Sequence, residues 1–146
     1  MSGIINSAGS KSGVIGTTEL PYEEGTWTAV PNAGSIQGQL QNRYTRIGGM
    51  CWCSNNFNNI QGGFGNFSGL PFTTRPSGTS YDVVILSGVM TNGISFPSGT
   101  GDISMYLYNM TIYLYCARDN AGWLSLGESH MENNDDMQVA FGYQCQ

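Results

Sequence analysis

The sequence predicts an all-β fold, an antiparallel β-sandwich of jelly-roll-like form with about eight or nine short strands. Runs of aromatic and β-branched residues recur at intervals of about 8–14 residues and stop at glycine or proline. Charged residues make up only 10% of the chain, and 21 of its 146 residues are glycine, which suits short strands joined by tight turns. Residues 102–121 lack glycine, but their Ile, Tyr and Thr content and period of two favour strands over a helix.

The first predicted strand covers 26–30, where polar and apolar residues alternate. Residues 44–54 are predicted as a second strand, kinked by a bulge at Gly48 and Gly49. The other predicted strands are 57–61, 81–90, 94–96, 103–108, 111–118, 123–126 and 137–143.

Two local patterns carry further expectations. Asn92 followed by Gly93 predicts a hairpin turn, because this dipeptide fits the turns that match strand twist. Along 111–118, Tyr113 and Tyr115 are expected on one face of the strand, opposite its aliphatic residues and cysteine.

The chain divides into an extended N-terminal segment, residues 1–20, and a β-sandwich domain, residues 21–146. The N-terminal segment is rich in serine and glycine and has too many glycines for a stable helix. It contains two apolar pairs, Ile4 with Ile5 and Val14 with Ile15. Two interpretations stay open: a flexible tail, or an anchor whose apolar pairs dock on a virion protein or a neighbouring subunit.

The charge distribution argues against nucleic acid and membrane partners. The net charge is −5, Lys11 is the only lysine, and the five basic residues form no cluster. Five scattered cations cannot provide the phosphate contacts of a nucleic-acid interface or a basic surface for anionic lipid. The apolar runs are too short to span a bilayer, and the first residues do not resemble a secretory signal.

The four cysteines leave two interpretations open. Cys51 and Cys53 flank Trp52, so in a strand both thiols face one side and the indole faces the other. Buried free thiols are the favoured interpretation, although Cys116 and Cys145 are also candidates for a disulfide. The C-x-x-C spacing of zinc sites is absent.

No motif predicts an enzyme, a metal site or a cofactor. The single histidine, His130, lies in the polar loop predicted over 128–136 and is expected to be exposed, without a recognisable nucleophile motif beside it. The adjacent acids 23–24 and 135–136 point to opposite faces of a strand, whereas acid–base catalysis needs carboxylates that converge. An acidic loop without the calcium-loop pattern is typical of a solvated surface.

Trp123 with Asp119 and Asn120 is the candidate contact for a glycan or receptor. An aromatic face stacks on a sugar ring, and neighbouring carboxylate and amide groups bind its hydroxyls. The competing interpretation places Trp123 in the core or in a subunit interface.

Four motifs in order resemble one known family. They are Glu-Glu-Gly-Thr-Trp-Thr at 23–28, Arg-Tyr-Thr-Arg-Ile-Gly at 43–48, Ser-Gly-Leu-Pro-Phe-Thr at 68–73 and Phe-Gly-Tyr at 141–143. Together they are similar to the C-terminal module of phage tail-fibre and other virion surface proteins, over about residues 13–146. One departure is the proline that usually follows the first motif, which here comes later, at Pro31.

The resemblance implies a non-catalytic protein of the phage virion, assembled in the host cytoplasm, that associates as a homotrimer and contacts capsid or tail proteins. Its expected role is adhesin-like binding of a receptor such as a host-surface glycan. Two alternatives stay open: a capsid-decoration or fibre subunit with a purely structural role, and a free carbohydrate-binding module.

Overall fold

The computed structural model describes residues 20–75, 84–96, 98–127 and 130–146. Within these ranges the chain forms ten β-strands and no α-helix. The strands are β1 (Tyr22–Thr26), β2 (Val30–Pro31), β3 (Ser35–Ile47), β4 (Met50–Gln61), β5 (Asn66–Ser68), β6 (Val84–Asn92), β7 (Thr100–Tyr108), β8 (Thr111–Arg118), β9 (Leu124–Ser125) and β10 (Asp135–Gln144).

The strands form two antiparallel sheets. The first sheet has the order β1–β3–β4–β10–β6, and the second has the order β2–β5–β8–β7. The short strand β9 pairs with Tyr115 and Cys116 of β8, further along the edge that β5 occupies at Ile112 and Tyr113. The predicted antiparallel β-sandwich is therefore confirmed, with ten strands rather than about eight or nine.

The predicted single strand over 44–54 is wrong. Gly48 and Gly49 form a turn between β3 and β4, which pair as a long hairpin from Ile47 opposite Met50. Gly48 has a φ of +59°, a conformation that glycine adopts without the strain of a side chain. The two glycines therefore reverse the chain, as short hairpin loops require, and do not bulge a continuous strand.

The predicted hairpin at Asn92 and Gly93 is also wrong. β6 ends at Asn92 and pairs with β10, whereas β7 lies in the other sheet and pairs with β8. Gly93 has a φ of +93°, and a Cβ there would overlap the carboxylate of Asp135. The glycine thus serves a crossover between sheets, because the closing strand β10 takes the position beside β6.

The predicted strand over 26–30 is broken by Trp27, which lies between β1 and β2 and turns into the core. Its indole Nε1–H donates to the carbonyl oxygens of Arg43, at 3.1 Å, and Ser54, at 3.0 Å. β3 shifts its register against β4 just before this point, so the indole binds backbone oxygens beside an irregularity of the ladder.

The core joins the inner faces of both sheets through aromatic rings. Phe67 of β5 is fully buried, and its ring lies 5.3 Å from that of Phe57 in β4 and 6.3 Å from that of Phe141 in β10. The rings of Phe64 and Trp27 lie at 6.3 Å on other sides of it. These separations are typical of edge-to-face and tilted aromatic pairs. One side chain of the second sheet therefore contacts two strands of the first, β4 and β10.

Residues of all four sequence motifs meet at one end of the first sheet. The Tyr44 hydroxyl donates to Glu23 at 2.7 Å, and the Tyr44 ring packs edge-to-face on Phe72 at 5.2 Å. The Arg46 guanidinium lies 4.6 Å from the centre of the Phe72 ring. Phe72 in turn exchanges two hydrogen bonds of 3.1 Å with Tyr143, whose hydroxyl accepts from its N–H and donates to its carbonyl. The motifs therefore build one connected scaffold.

Gly25 shows why the first motif contains a glycine. A Cβ at this position would lie 2.7 Å from the ring of Tyr44, on the strand paired with β1. The ring crosses the β1 backbone where no side chain stands, which leaves its hydroxyl within reach of Glu23.

The four cysteines are free and buried, as the favoured interpretation predicts. Cys51 and Cys53 project from the same face of β4, with their sulfur atoms 3.7 Å apart, while Trp52 faces outward. Burial raises the pKa of Cys116 and of Cys145. All four thiols therefore act as small apolar core groups.

We expect Phe67→Ala to lower the free energy of unfolding by about 3–5 kcal/mol, because it removes the ring through which the two sheets pack. Urea unfolding followed by circular dichroism measures this change. Leu40→Ala, at an exposed aliphatic position of β3, is the matched control and should change stability by about 0.5 kcal/mol or less. Equal losses in the two variants would contradict the central role of Phe67.

We expect the protein to lose stability as the pH rises above about 10, in part through Tyr143. Burial raises the pKa of Tyr143 above its ordinary value, so the folded state holds the hydroxyl neutral while the unfolded chain ionises. This contribution is complete below the unfolded pKa and declines above it. Tyr143→Phe should flatten the decline in urea unfolding between pH 8 and 11, and should cost about 1–3 kcal/mol at pH 7 because the Phe72 N–H loses its acceptor. An unchanged alkaline slope would refute the assignment.

Candidate functional site

The outer face of the β7–β8 hairpin carries a row of tyrosines. Side chains alternate along both strands, so Leu107, Ile112 and Leu114 are fully buried while the residues between them face away from the core. The outward aromatic residues are Tyr106, Tyr108, Tyr113 and Tyr115, each half-buried or exposed. We call these four residues together with Trp123 the tyrosine face.

Tyr106 is at the centre of this face. Its ring is parallel to that of Tyr108, with an interplanar angle of 6° and centres 6.5 Å apart. It lies 6.1 Å from both Tyr113 and Tyr115, across the hairpin. The four rings thus cover a continuous area of the second sheet, with apolar ring surface beside hydroxyl groups that donate and accept hydrogen bonds.

Trp123 extends the face at its β9 end. The indole is 75% exposed and lies 6.1 Å from the ring of Tyr115, at an angle of 57°. A cavity of about 160 Å³ lies between Trp123, Tyr115 and Tyr106. This exposure rules out the interpretation that Trp123 packs in the core of the domain, while the subunit-interface interpretation stays open.

Asp119 and Asn120 lie in the turn that connects β8 to Trp123, and both are exposed. Asn120 adopts a φ of +52°, a conformation that asparagine tolerates better than most residues. The Arg118 Nε–H donates to the carbonyl of Gly122 at 3.1 Å, which closes the turn. The structure thus brings the three predicted contact residues to one corner of the molecule, with two polar side chains beside an exposed indole.

The four tyrosines of the face were not among the residues predicted for the site. A signal for them exists: the period-two pairs 106 with 108 and 113 with 115 predict two outward rows. What the pattern lacks is the pairing that places Tyr106 opposite Tyr113, which only the β7–β8 register supplies.

Two of the acidic residues, Asp135 and Asp136, accept hydrogen bonds from backbone N–H groups. Asp135 is buried at the start of β10, where its Oδ2 accepts from the Glu132 N–H at 2.7 Å, and Asp136 accepts from the Asn59 N–H at 3.0 Å. The expected polar loop over 128–136 therefore ends earlier than predicted, because these two acids belong to a strand. Among the described residues, no group of three or more histidine, cysteine or acidic side chains is placed to hold a metal ion.

His130 is half-buried rather than an exposed loop residue. Its Nδ1 accepts a hydrogen bond from the Gly127 N–H at 3.2 Å, and its carbonyl accepts one from the Ser95 N–H. The imidazole therefore helps to fix the backbone at Gly127, after the end of β9.

The predicted anchor residues Ile4, Ile5, Val14 and Ile15 lie outside the described residues. In the described ranges, no helix has the length and apolar character needed to cross a membrane.

Comparison of the chain with protein-family models, with curated proteins and with solved structures found no match.

Proposed function

We propose that this chain is a surface protein of a phage virion, of fibre or tail type, whose β-sandwich binds a host-surface glycan through the tyrosine face. The observation that carries the proposal is the 75% exposure of Trp123 at the end of a continuous group of outward tyrosine rings. The protein acts by binding and catalyses no reaction.

The tyrosine face has the chemistry of a sugar-binding surface. Single exposed apolar residues are common on proteins, but contiguous aromatic groups mark interaction sites. Aromatic rings pack against the C–H face of a pyranose, while tyrosine hydroxyls and the side chains of Asp119 and Asn120 bind the hydroxyl groups around it.

The assignment to a virion rests on the four motifs. It is supported by the contacts that residues of these motifs make with one another. Contacts link Glu23 to Tyr44, Tyr44 to Phe72, and Phe72 to Tyr143. The rings of Trp27 and Phe141 pack edge-to-face with their centres 5.7 Å apart. Motifs that were separate in the chain act as one scaffold, as expected for a module inherited as a unit. The scaffold leaves the tyrosine face free for recognition.

A purely structural role is the second candidate, and an apolar corner favours it. Leu20, Tyr22 and Ile47 are exposed together, because Tyr22 pairs with Ile47 and the Pro21 carbonyl accepts from the Gly48 N–H at 2.8 Å. The corner lies where the N-terminal segment enters the sandwich. In this role the chain would decorate a capsid or tail, with the corner covered by another subunit.

We expect Trp123→Ala to weaken glycan binding at least about tenfold, because it removes the most accessible ring of the face. Binding of the purified protein to an array of bacterial surface glycans measures this effect. Phe96→Ala, which removes an exposed aromatic ring outside both the tyrosine face and the apolar corner, is the control and should leave the array signal unchanged.

Two results would contradict the adhesin role. One is an array on which the wild-type protein binds nothing, and the other is equal binding by wild type and Trp123→Ala. Loss of assembly in Tyr22→Ala without any glycan signal would favour the structural role. A monomeric wild-type protein, together with normal glycan binding by a variant that lacks residues 1–20, would favour a free carbohydrate-binding module.

We further propose that the protein is a homotrimer, because its few charges and its exposed apolar corner suit a surface shared with copies of itself. Sedimentation equilibrium at micromolar concentration should give a mass near three copies of the 15.7-kDa chain. Tyr22→Ala should shift the distribution towards smaller species. A stable monomer at that concentration would refute the trimer.

A further inference from the structure

The outer face of the first sheet contains a long trough, on the side of the sandwich opposite the tyrosine face. Three adjoining depressions of about 530, 370 and 360 Å³ form it. The first two share Ser54, Gly88 and Ala140, and the second and third share residues of β4, β6 and β10 further along. The trough therefore follows β4 and β10 rather than forming a single pit.

The floor of the trough is made by small side chains on three paired strands. Ala140 of β10 lies opposite Ser54 of β4 on one side and Gly88 of β6 on the other. Ala140 and Gly88 are exposed, and a Cβ at Gly88 would meet nothing within 4 Å. Because this row lacks long side chains, the surface is depressed across the middle of the sheet.

Trp52 forms one end of the trough. The indole is 38% exposed and lies against Gly142, where an added Cβ would be 3.1 Å from the indole Cδ1. Arg43 and Thr45, on the neighbouring strand β3, line the same end. The glycine lets the indole lie close to the β10 backbone, so part of the indole surface borders the depression.

Amide groups line the other end. Asn56 of β4 lies opposite Gln138 of β10, and Asn58 continues the row on β4. Each carboxamide both donates and accepts hydrogen bonds, which matches the hydroxyl groups of a sugar. Asp136 is the one acid among the lining residues and stands at this end, whereas the one cation, Arg43, stands at the other.

We propose that this trough binds a single extended chain of a neutral polysaccharide. Trp52 packs against one sugar ring, the small floor admits the chain, and the amides of Asn56, Asn58 and Gln138 bind hydroxyl groups further along. From Trp52 to Asn58 the strand covers about 20 Å, so the site is elongated rather than suited to one ring.

The lining residues favour this ligand over other occupants. One cation and one carboxylate at opposite ends provide no net charge for an anionic polymer or nucleic acid. A second sheet packed on this face would need large apolar side chains that interdigitate, and the middle row of Ser54, Gly88 and Ala140 provides none. The tyrosine face is a surface of aromatic rings, and the trough is a groove, so the two sites present different shapes to a glycan.

The test uses a background in which the tyrosine face has lost Trp123, so that its own glycan binding is weakened. Trp123→Ala protein is run in native affinity gels that contain a soluble neutral polysaccharide, with separate gels for glucan, mannan and galactan, and with alginate as the anionic comparison. At least one neutral polymer should retard the protein, and adding Ala140→Gln, which fills the floor, should weaken that retardation at least tenfold. Trp52→Ala should have an effect of the same direction.

Ser35→Gln is the matched control, because Ser35 is also an exposed small residue of a strand in the same sheet and lies outside the lining of the three depressions. It should leave retardation in this background unchanged, and urea midpoints close to that of the parent would show that the variants fold. The proposal fails if no neutral polysaccharide retards the Trp123→Ala protein, if Ala140→Gln and Ser35→Gln behave alike, or if alginate is bound in preference.

Discussion

The packing of Phe67 against the first sheet is the contact on which this structure depends most. Phe67 belongs to a strand of only three residues, yet its ring contacts Trp27, Phe57, Phe64 and Phe141. With few charged residues and short strands, the domain gains its stability from apolar burial between two sheets. Every strand that reaches this core must point alternate side chains inward, which leaves the other half of its residues on an outer face.

That division explains how one strand contributes both to the scaffold and to an outer face. The sequence motifs supply inward or junction residues, among them Tyr44, Phe72 and Tyr143, whose contacts are with one another. The residues with binding chemistry alternate with core residues on the same strands, as Tyr113 does with Ile112 and Leu114 in β8. A change on an outer face therefore alters surface chemistry with little effect on the core, which would suit the proposed recognition of glycans.

The sequence predicted some parts of the fold and site well, and the reasons differ by element. β7, β8 and the end of β10 have strong period-two patterns, and the structure has strands there. Residues 35–43 of β3 carry no strand pattern in the sequence, because they are polar and contain a glycine. Pairing with β4 is what mainly holds them as a strand. Trp123, Asp119 and Asn120 share one turn, so local sequence located that corner, whereas the trough draws residues from four strands far apart in the chain.

The sequence by itself determined the all-β class and the inward and outward alternation within each strong strand, because a period of two is a local property of the backbone. Only the tertiary structure decided which strands are neighbours. Gly48–Gly49 and Asn92–Gly93 are both turn signals. The first closes the β3–β4 hairpin, whereas the second begins a crossover to the other sheet, because β6 pairs with β10. Strand pairing is a long-range choice made by the packing of the whole core, and the two outer surfaces exist only once that choice is made.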